Sequence, residues 1–289
     1  VINPGVNAGL NYGRTEVRMQ DIDGDGLPDH TYAIGNESQT EVHVAKNRTG
    51  KTNLLKKVNR PLGGSFEIVY ERAGNTIERD PGGFIREMPQ SRWVMSRVTV
   101  SDGMESCGDA AVNNHVYRTA YQYGTGHYDR AEREFYGFNR MTESPVDAED
   151  DALTVTTHTY HNMSFYTRGL EIRTVTADGS GDQYVTVVNE YGSRTLVAGS
   201  SEFHPLETKR TYYHEGSADA GVVTTEEYAY DNYGNITQYA DKGDGEPASD
   251  VTAAIEYKYI TGNYIMNLPL SITVTDSGGA TLRKRTADY

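Results

Sequence analysis

Only one of the 289 residues, Cys107, is a cysteine, so neither an internal disulfide nor a cysteine-built zinc site is possible. Positive charge is scarce too: 27 Lys and Arg stand against 41 Asp and Glu, a formal net charge of -14 with a pI near 5.0. Such a field repels phosphate backbones and anionic lipid. The densest basic run, Arg283-Lys284-Arg285, is too short to reverse it, so neither nucleic acid nor a membrane surface is an expected partner. No apolar stretch approaches the ~20 residues that a membrane-spanning helix needs. No signal-like region opens the chain; with Val1 at one end and Ala287-Asp288-Tyr289 at the other, it reads as a piece of something longer. Hydrophobic residues are also few, at 36% with a mean hydropathy of -0.66. Disorder does not follow, because 22 Tyr, 6 Phe and one Trp supply apolar surface that an unpacked chain would not carry.

What is abundant is Gly and Thr, 30 of each, which with Tyr and Val suit short strands joined by tight turns. Period-two alternation marks 41–44, 65–70, 93–100, 116–123, 183–188, 228–230, 254–259 and 270–275. Turn signals separate them at Gly63-Gly64, Pro81-Gly82-Gly83, Gly124-Thr125-Gly126 and Ser277-Gly278-Gly279. The expectation is an all-β, antiparallel architecture. Only Thr52 to Asn59 offers a short helix, with a strand as the alternative. The acidic segment from Ser144 to Asp151 reads as a surface connection between two β regions, and Asp241 to Glu246 as a hairpin loop. Beyond residue 150 the Tyr-rich strands recur at loose intervals, which points to stacked hairpins.

The sharpest motif is Asp21-Ile22-Asp23-Gly24-Asp25-Gly26-Leu27-Pro28-Asp29. Carboxylates at alternate positions, a turn-permitting Gly and a further carboxylate at the ninth position let one short loop wrap oxygens around a hard cation. Calcium (Ca2+) fits, with side-chain oxygens from Asp21, Asp23, Asp25 and Asp29 and the carbonyl of Leu27. The EF-hand requirement for Glu at the twelfth position fails, since Tyr32 stands there. The spacing instead resembles the calcium loops of FG-GAP and integrin-type β-propeller repeats. Without a counter-ion, carboxylates this close repel one another.

Other chemistry is harder to find. His158 and His161 are three apart, but the surrounding threonines favour a strand, where such positions face opposite sides. Cys107 has no visible base, and no Gly-x-Ser-x-Gly elbow, phosphate loop or His-Glu-x-x-His helix occurs. No enzyme is expected. Asn36, Asn47, Asn162 and Asn235 begin glycosylation-type triplets of a kind that recurs by chance in a chain this rich in Asn and Thr.

Tyr228-Ala229-Tyr230-Asp231-Asn232-Tyr233-Gly234-Asn235-Ile236-Thr237 reads as a hairpin. Tyr228 and Tyr230 share a face, Asp231 caps the turn, Gly234 takes a positive φ and Ile236 begins the return strand. This unit resembles the YD repeat of RHS proteins, with weaker echoes at 188–195 and 268–279. Tyr121-Gln122-Tyr123-Gly124, followed by His127-Tyr128-Asp129 and Arg133-Glu134-Phe135-Tyr136-Gly137-Phe138, resembles the central region of SpvB and TcB-type toxin-complex proteins, as does the order of the three regions. The resemblance implies a propeller-like calcium-loop region at 1–48, a TcB-middle-like β region at 49–145 and YD/RHS-type hairpins at 146–289. It further implies a secreted or cell-surface β-shell segment whose partners are the remainder of its own longer chain, or a companion RHS shell protein, and an encapsulated polypeptide. The competing reading is a calcium-dependent adhesion or glycan-binding β protein.

Overall fold

The computed structural model describes residues 16–23, 27–36, 39–49, 51–74, 76–79, 81–104, 116–197 and 201–289. Among these, regular structure is β-strand apart from two single-turn 3-10 segments at Pro247–Ser249 and Thr261–Asn263. The strands in chain order begin with β1 (Glu16–Gln20), β2 (Asp29–Asn36), β3 (Gln39–Ala45), β4 (Lys57–Asn59), β5 (Ser65–Ala73), β6 (Thr76–Arg79), β7 (Ile85–Met88) and β8 (Arg92–Ser101). There follow β9 (Val116–Tyr123), β10 (Gly126–Asp129), β11 (Glu134–Phe138), β12 (Arg140–Val146), β13 (Thr154–Tyr160), β14 (Glu171–Asp178), β15 (Gln183–Tyr191), β16 (Arg194–Val197) and β17 (Ser201–Phe203). The last are β18 (Leu206–Tyr213), β19 (Val222–Tyr230), β20 (Ile236–Asp241), β21 (Val251–Ile260), β22 (Ile265–Asp276) and β23 (Thr281–Thr286).

Fourteen of them form one sheet in strict chain order, β4-β5-β8-β9-β12-β13-β14-β15-β18-β19-β20-β21-β22-β23. Every neighbouring pair is antiparallel. The strands left out make the two-stranded ribbons β6–β7, β10–β11 and β16–β17, while β1–β3 form a separate three-stranded sheet. An in-order antiparallel path sends alternate connections to opposite ends of the strands. All three ribbons, the 161–170 loop and the turn at Asp231 therefore emerge at one end, and the turns opened by Asp147, Asp178 and Asp276 occupy the other. The acidic segment before Asp151 is one of those turns: β12 and β13, on either side of it, are neighbours in the one sheet. Thr52 to Asn59 is not helical; it runs extended into β4.

One turn geometry recurs four times. In each copy an aspartate opens the turn and its Oδ1 accepts backbone N–H groups further on: Asp147 from Glu149 and Asp151 (3.0 and 2.9 Å), Asp178 from Ser180 and Asp182 (2.9 and 3.0 Å), Asp231 from Tyr233 and Asn235 (2.8 and 2.9 Å), and Asp276 from Ala280 (2.8 Å). The fourth residue is left-handed each time, with φ of 72° at Asp150, 97° at Gly181, 86° at Gly234 and 83° at Gly279.

A second recurrence sits at the open end of each hairpin. Tyr191 donates its hydroxyl to the Glu171 carbonyl (3.0 Å), Tyr230 to Leu206 (2.8 Å), Tyr257 to Ile236 (3.0 Å) and Tyr289 to Pro269 (3.3 Å). Each tyrosine at or just beyond the closing strand thus ties down a carbonyl of the opening strand with the one polar end of its ring.

Buried apolar side chains are few. Met88, Tyr136, Val146, Ala177 and Ala240 make up the fully buried apolar set among the described residues. Two of them lie in a second layer at the ribbon end. There Asn162, 1% exposed, donates through Nδ2 to the carbonyls of Thr125 (3.3 Å) and Gly137 (3.0 Å) and accepts from Arg86 Nε at Oδ1 (3.2 Å). Gly126 is required by this packing, since a Cβ there would lie 2.5 Å from Met88 Sδ and 2.9 Å from the Phe135 ring. Replacing Asn162 with Leu strands two carbonyls and a guanidinium in the layer. The expected loss is about 2–3 kcal/mol in denaturant unfolding, and a change within experimental error would contradict the role given to Asn162.

Candidate metal centre

Among the described residues, Asp21, Asp23 and Asp29 are the one group of three or more His, Cys, Asp or Glu side chains whose ligand atoms converge, all within 4.8 Å of one another. The fold brings them together because β1 ends at Gln20 and β2 begins at Asp29, so the intervening loop must reverse the chain. Leu27 lies half-buried on the return of this loop. Asp25 lies outside the described residues, as does Cys107.

Asp29 is fully buried, and each carboxylate oxygen is committed: Oδ1 accepts the Asn47 N–H (2.7 Å) and Oδ2 the Ile22 N–H (3.0 Å). These bonds, that from Asn47 foremost, hold its carboxyl below the usual value of 3.8 despite the opposing effect of burial. Asn47 also donates from Nδ2 to the Pro28 carbonyl (3.2 Å), clamping the loop exit. Lys46 Nζ sits 3.1 Å from Asp23 Oδ2. A cluster of three carboxylates suits a hard cation bound through oxygen. Sequence reasoning missed Lys46 and Asn47. They reach the loop only through the β2–β3 register, which sets His30 opposite Ala45 and carries the next residues past Asp29.

The remaining polar groups on the long sheet form ordinary cross-strand clusters. Glu226 accepts from Lys209 Nζ (2.7 Å) and the Tyr228 hydroxyl (2.6 Å), and these bonds outweigh the burial that would raise its pKa. His158 on β13 places its Nδ1 2.5 Å from Oε1 of Glu171 on β14. His161 lies beyond that strand in the ribbon-end loop, so the structure does not bring the two histidines together. Asn162, the first residue of one glycosylation-type triplet, is sealed in the ribbon layer with its side-chain amide committed.

Comparison with known proteins places these features in context. The family described as insecticide toxin TcdB middle/N-terminal region matches residues 5–168. No curated protein sequence matches significantly. Among solved structures, TcdB2-TccC3 without its hypervariable C-terminal region is 14% identical with a TM-score of 0.63, the match covering 90% of this chain and 16% of that one. A Photorhabdus luminescens Tc holotoxin pore structure is 13% identical with a TM-score of 0.63 over 91% of this chain and 17% of that one. A TcdB2-TccC3-TEV structure is 12% identical with a TM-score of 0.64 over 92% of this chain and 17% of its own length. The chain thus spans about one sixth of the structures it matches and shares their fold over most of its own length.

Because the Asp29 carboxyl is held below 3.8, its contribution to stability is complete above that pH and is lost as acid titrates the folded carboxylate. Asp29→Asn should weaken the loop at neutral pH, since its NH2 group would oppose one of two backbone donors. Hydrogen exchange should show faster opening of residues 21–23 and 27–33. Unaltered protection would contradict the assignment of Asp29 as the loop's anchor.

Proposed function

The chain belongs to the insecticide toxin TcdB middle/N-terminal region family, and on that premise we propose that it is a non-catalytic wall segment of a large, secreted toxin-complex shell. The observation that carries this reading is the ladder itself. Fourteen antiparallel strands follow one another in chain order with little buried apolar surface, an arrangement that extends strand by strand. An open polar sheet suits enclosing a polypeptide better than binding a small molecule.

The finer RHS/YD and SpvB-like reading draws support from the two recurrent devices. Tyr230-Asp231 is where a tyrosine tie and an aspartate turn adjoin. Tyr191, Tyr257 and Tyr289 repeat the tie, and Asp147, Asp178 and Asp276 repeat the turn, at positions where the Tyr-Asp pair itself is absent. On this reading the hairpin repeat is present in degenerate form from β14 onward. The proposed division at about residue 48 is supported by the β1–β3 sheet, which closes at Ala45 before the ladder opens at Lys57. That at about residue 146 rests on the resemblance of the sequence alone. The matched structures pair TcdB2 with TccC3. By analogy, the protein that carries this segment would join a companion shell protein around an enclosed polypeptide.

The test is to co-express the full-length protein with its companion and follow protease digestion of the companion's C-terminal segment. Protection that disappears when the shell is unfolded is expected; digestion as fast as that of the free companion would overturn the reading.

The loop at 21–29 is proposed to hold a structural Ca2+ through Asp21, Asp23, Asp25, Asp29 and the Leu27 carbonyl, supported by the converging carboxylates. Chelation should then deprotect residues 20–45 in hydrogen exchange and leave 171–191 unchanged. Equal protection with and without calcium would count against the ion.

A further inference from the structure

The ribbon end of the sheet seals a histidine into its second layer. His127 on β10 is 6% exposed, and its Nδ1 has no hydrogen-bond partner. The Phe84 ring lies 5.2 Å away and the Tyr136 ring 5.7 Å away in an edge contact. The charged groups facing it are Arg86 and Glu87 from β7 and Asp129 from β10. Burial is the largest influence and keeps the imidazole below its usual 6.5, with Arg86 acting in the same sense and Asp129 and Glu87 opposing. From the 161–170 loop, the Arg168 guanidinium lies 5.6 Å over the Tyr136 ring. His161, next to Asn162, is likewise held below 6.5, by burial first and then by His204 and Arg86.

Few side-chain bonds join the elements of this layer to one another. Asn162 supplies three, Arg130 grips Glu87 through a fork of two hydrogen bonds, and the Arg168–Glu134 pair is part-exposed, a class that contributes little. The ladder beneath is held by backbone pairing along every strand. A proton taken up by the buried imidazole therefore has a local way out: the elements of the layer can part from one another while the sheet persists.

We propose that β6–β7, β10–β11 and the 161–170 loop form an acid-released clasp, which opens at mildly acidic pH because His127 cannot stay packed once it carries a proton. The direction follows from linkage. Between 6.5 and the lower value of the packed histidine, the open form binds the proton and the closed form does not. Each unit of falling pH then favours opening by up to about tenfold for His127, with His161 acting in the same direction. Above 6.5 the effect vanishes. The consequence would be a shell wall whose ribbon end loosens in an acidic compartment without loss of the wall.

The experiment is hydrogen exchange on the full chain at about pH 7 and about pH 5, corrected for intrinsic exchange, with an NMR titration of the His127 ring. Expected is a loss of protection, at most about tenfold per unit of pH below 6.5 for His127, in 84–88, 126–138 and 161–170, with 171–191 unchanged. His127→Asn, folded at neutral pH, should show a smaller pH response. Equal protection at both pH values, or a His127 ring that titrates near 6.5 within a closed layer, would overturn the proposal. Should the variant not fold, the wild-type ring titration decides alone: protonation together with loss of the Phe84 contact supports the clasp, and protonation with that contact kept refutes it.

Discussion

Backbone hydrogen bonding between antiparallel neighbours is the constraint on which this molecule depends. Most domains of this length bury a thick apolar core. Here the fully buried apolar set among the described residues is Met88, Tyr136, Val146, Ala177 and Ala240, two of which lie in the ribbon-end layer rather than in the ladder. The sheet must then hold through pairing, cross-strand side-chain contacts and well-formed turns. Tyrosine serves all three demands. Its ring covers the pleat, and its hydroxyl reaches a carbonyl that the open end of a hairpin would otherwise leave to water.

The ladder also sets the polarity of the segment. Alternate connections fall at opposite ends, so one end collects the Asp147, Asp178 and Asp276 turns and the other collects the ribbons with their aromatic and arginine side chains. The acidity of the turn end follows from turn chemistry, in which each aspartate is spent on its own backbone N–H groups. The lateral edge has a different character. All six residues of β23 are exposed, and Arg283, Lys284 and Arg285 place positive charge on that strand in an otherwise acidic chain. Such charges deter indiscriminate strand pairing at an edge.

Much of the ladder could be read from the sequence because Val and Tyr alternation is a strong signal. The segments at 65–70, 93–100, 116–123, 183–188, 254–259 and 270–275 all lie within strands, and Gly234 has the positive φ that its place in the hairpin demands. Three things were hidden. Thr154–Tyr160 and Glu171–Asp178 pair through threonine-rich faces that lack apolar contrast. The ties of Tyr191 and Tyr257 depend on which carbonyl the register places opposite, which spacing along one strand does not encode. The burial of Asn162 was not legible, because a glycosylation-type triplet that recurs by chance carries no information about burial. At the candidate metal loop the carboxylates were visible in sequence, whereas Lys46 and Asn47 enter across a hairpin.

The central claim is that these strands make a wall rather than a self-contained core. The most direct measurement is an electron cryomicroscopy reconstruction of the complete protein that carries this segment, at a resolution that separates strands. The account predicts that the fourteen ladder strands from β4 to β23, without the three ribbons, trace a single continuous layer bounding a lumen, with further strands pairing beyond β23. Finding the same strands folded back on themselves around a filled apolar interior would contradict it.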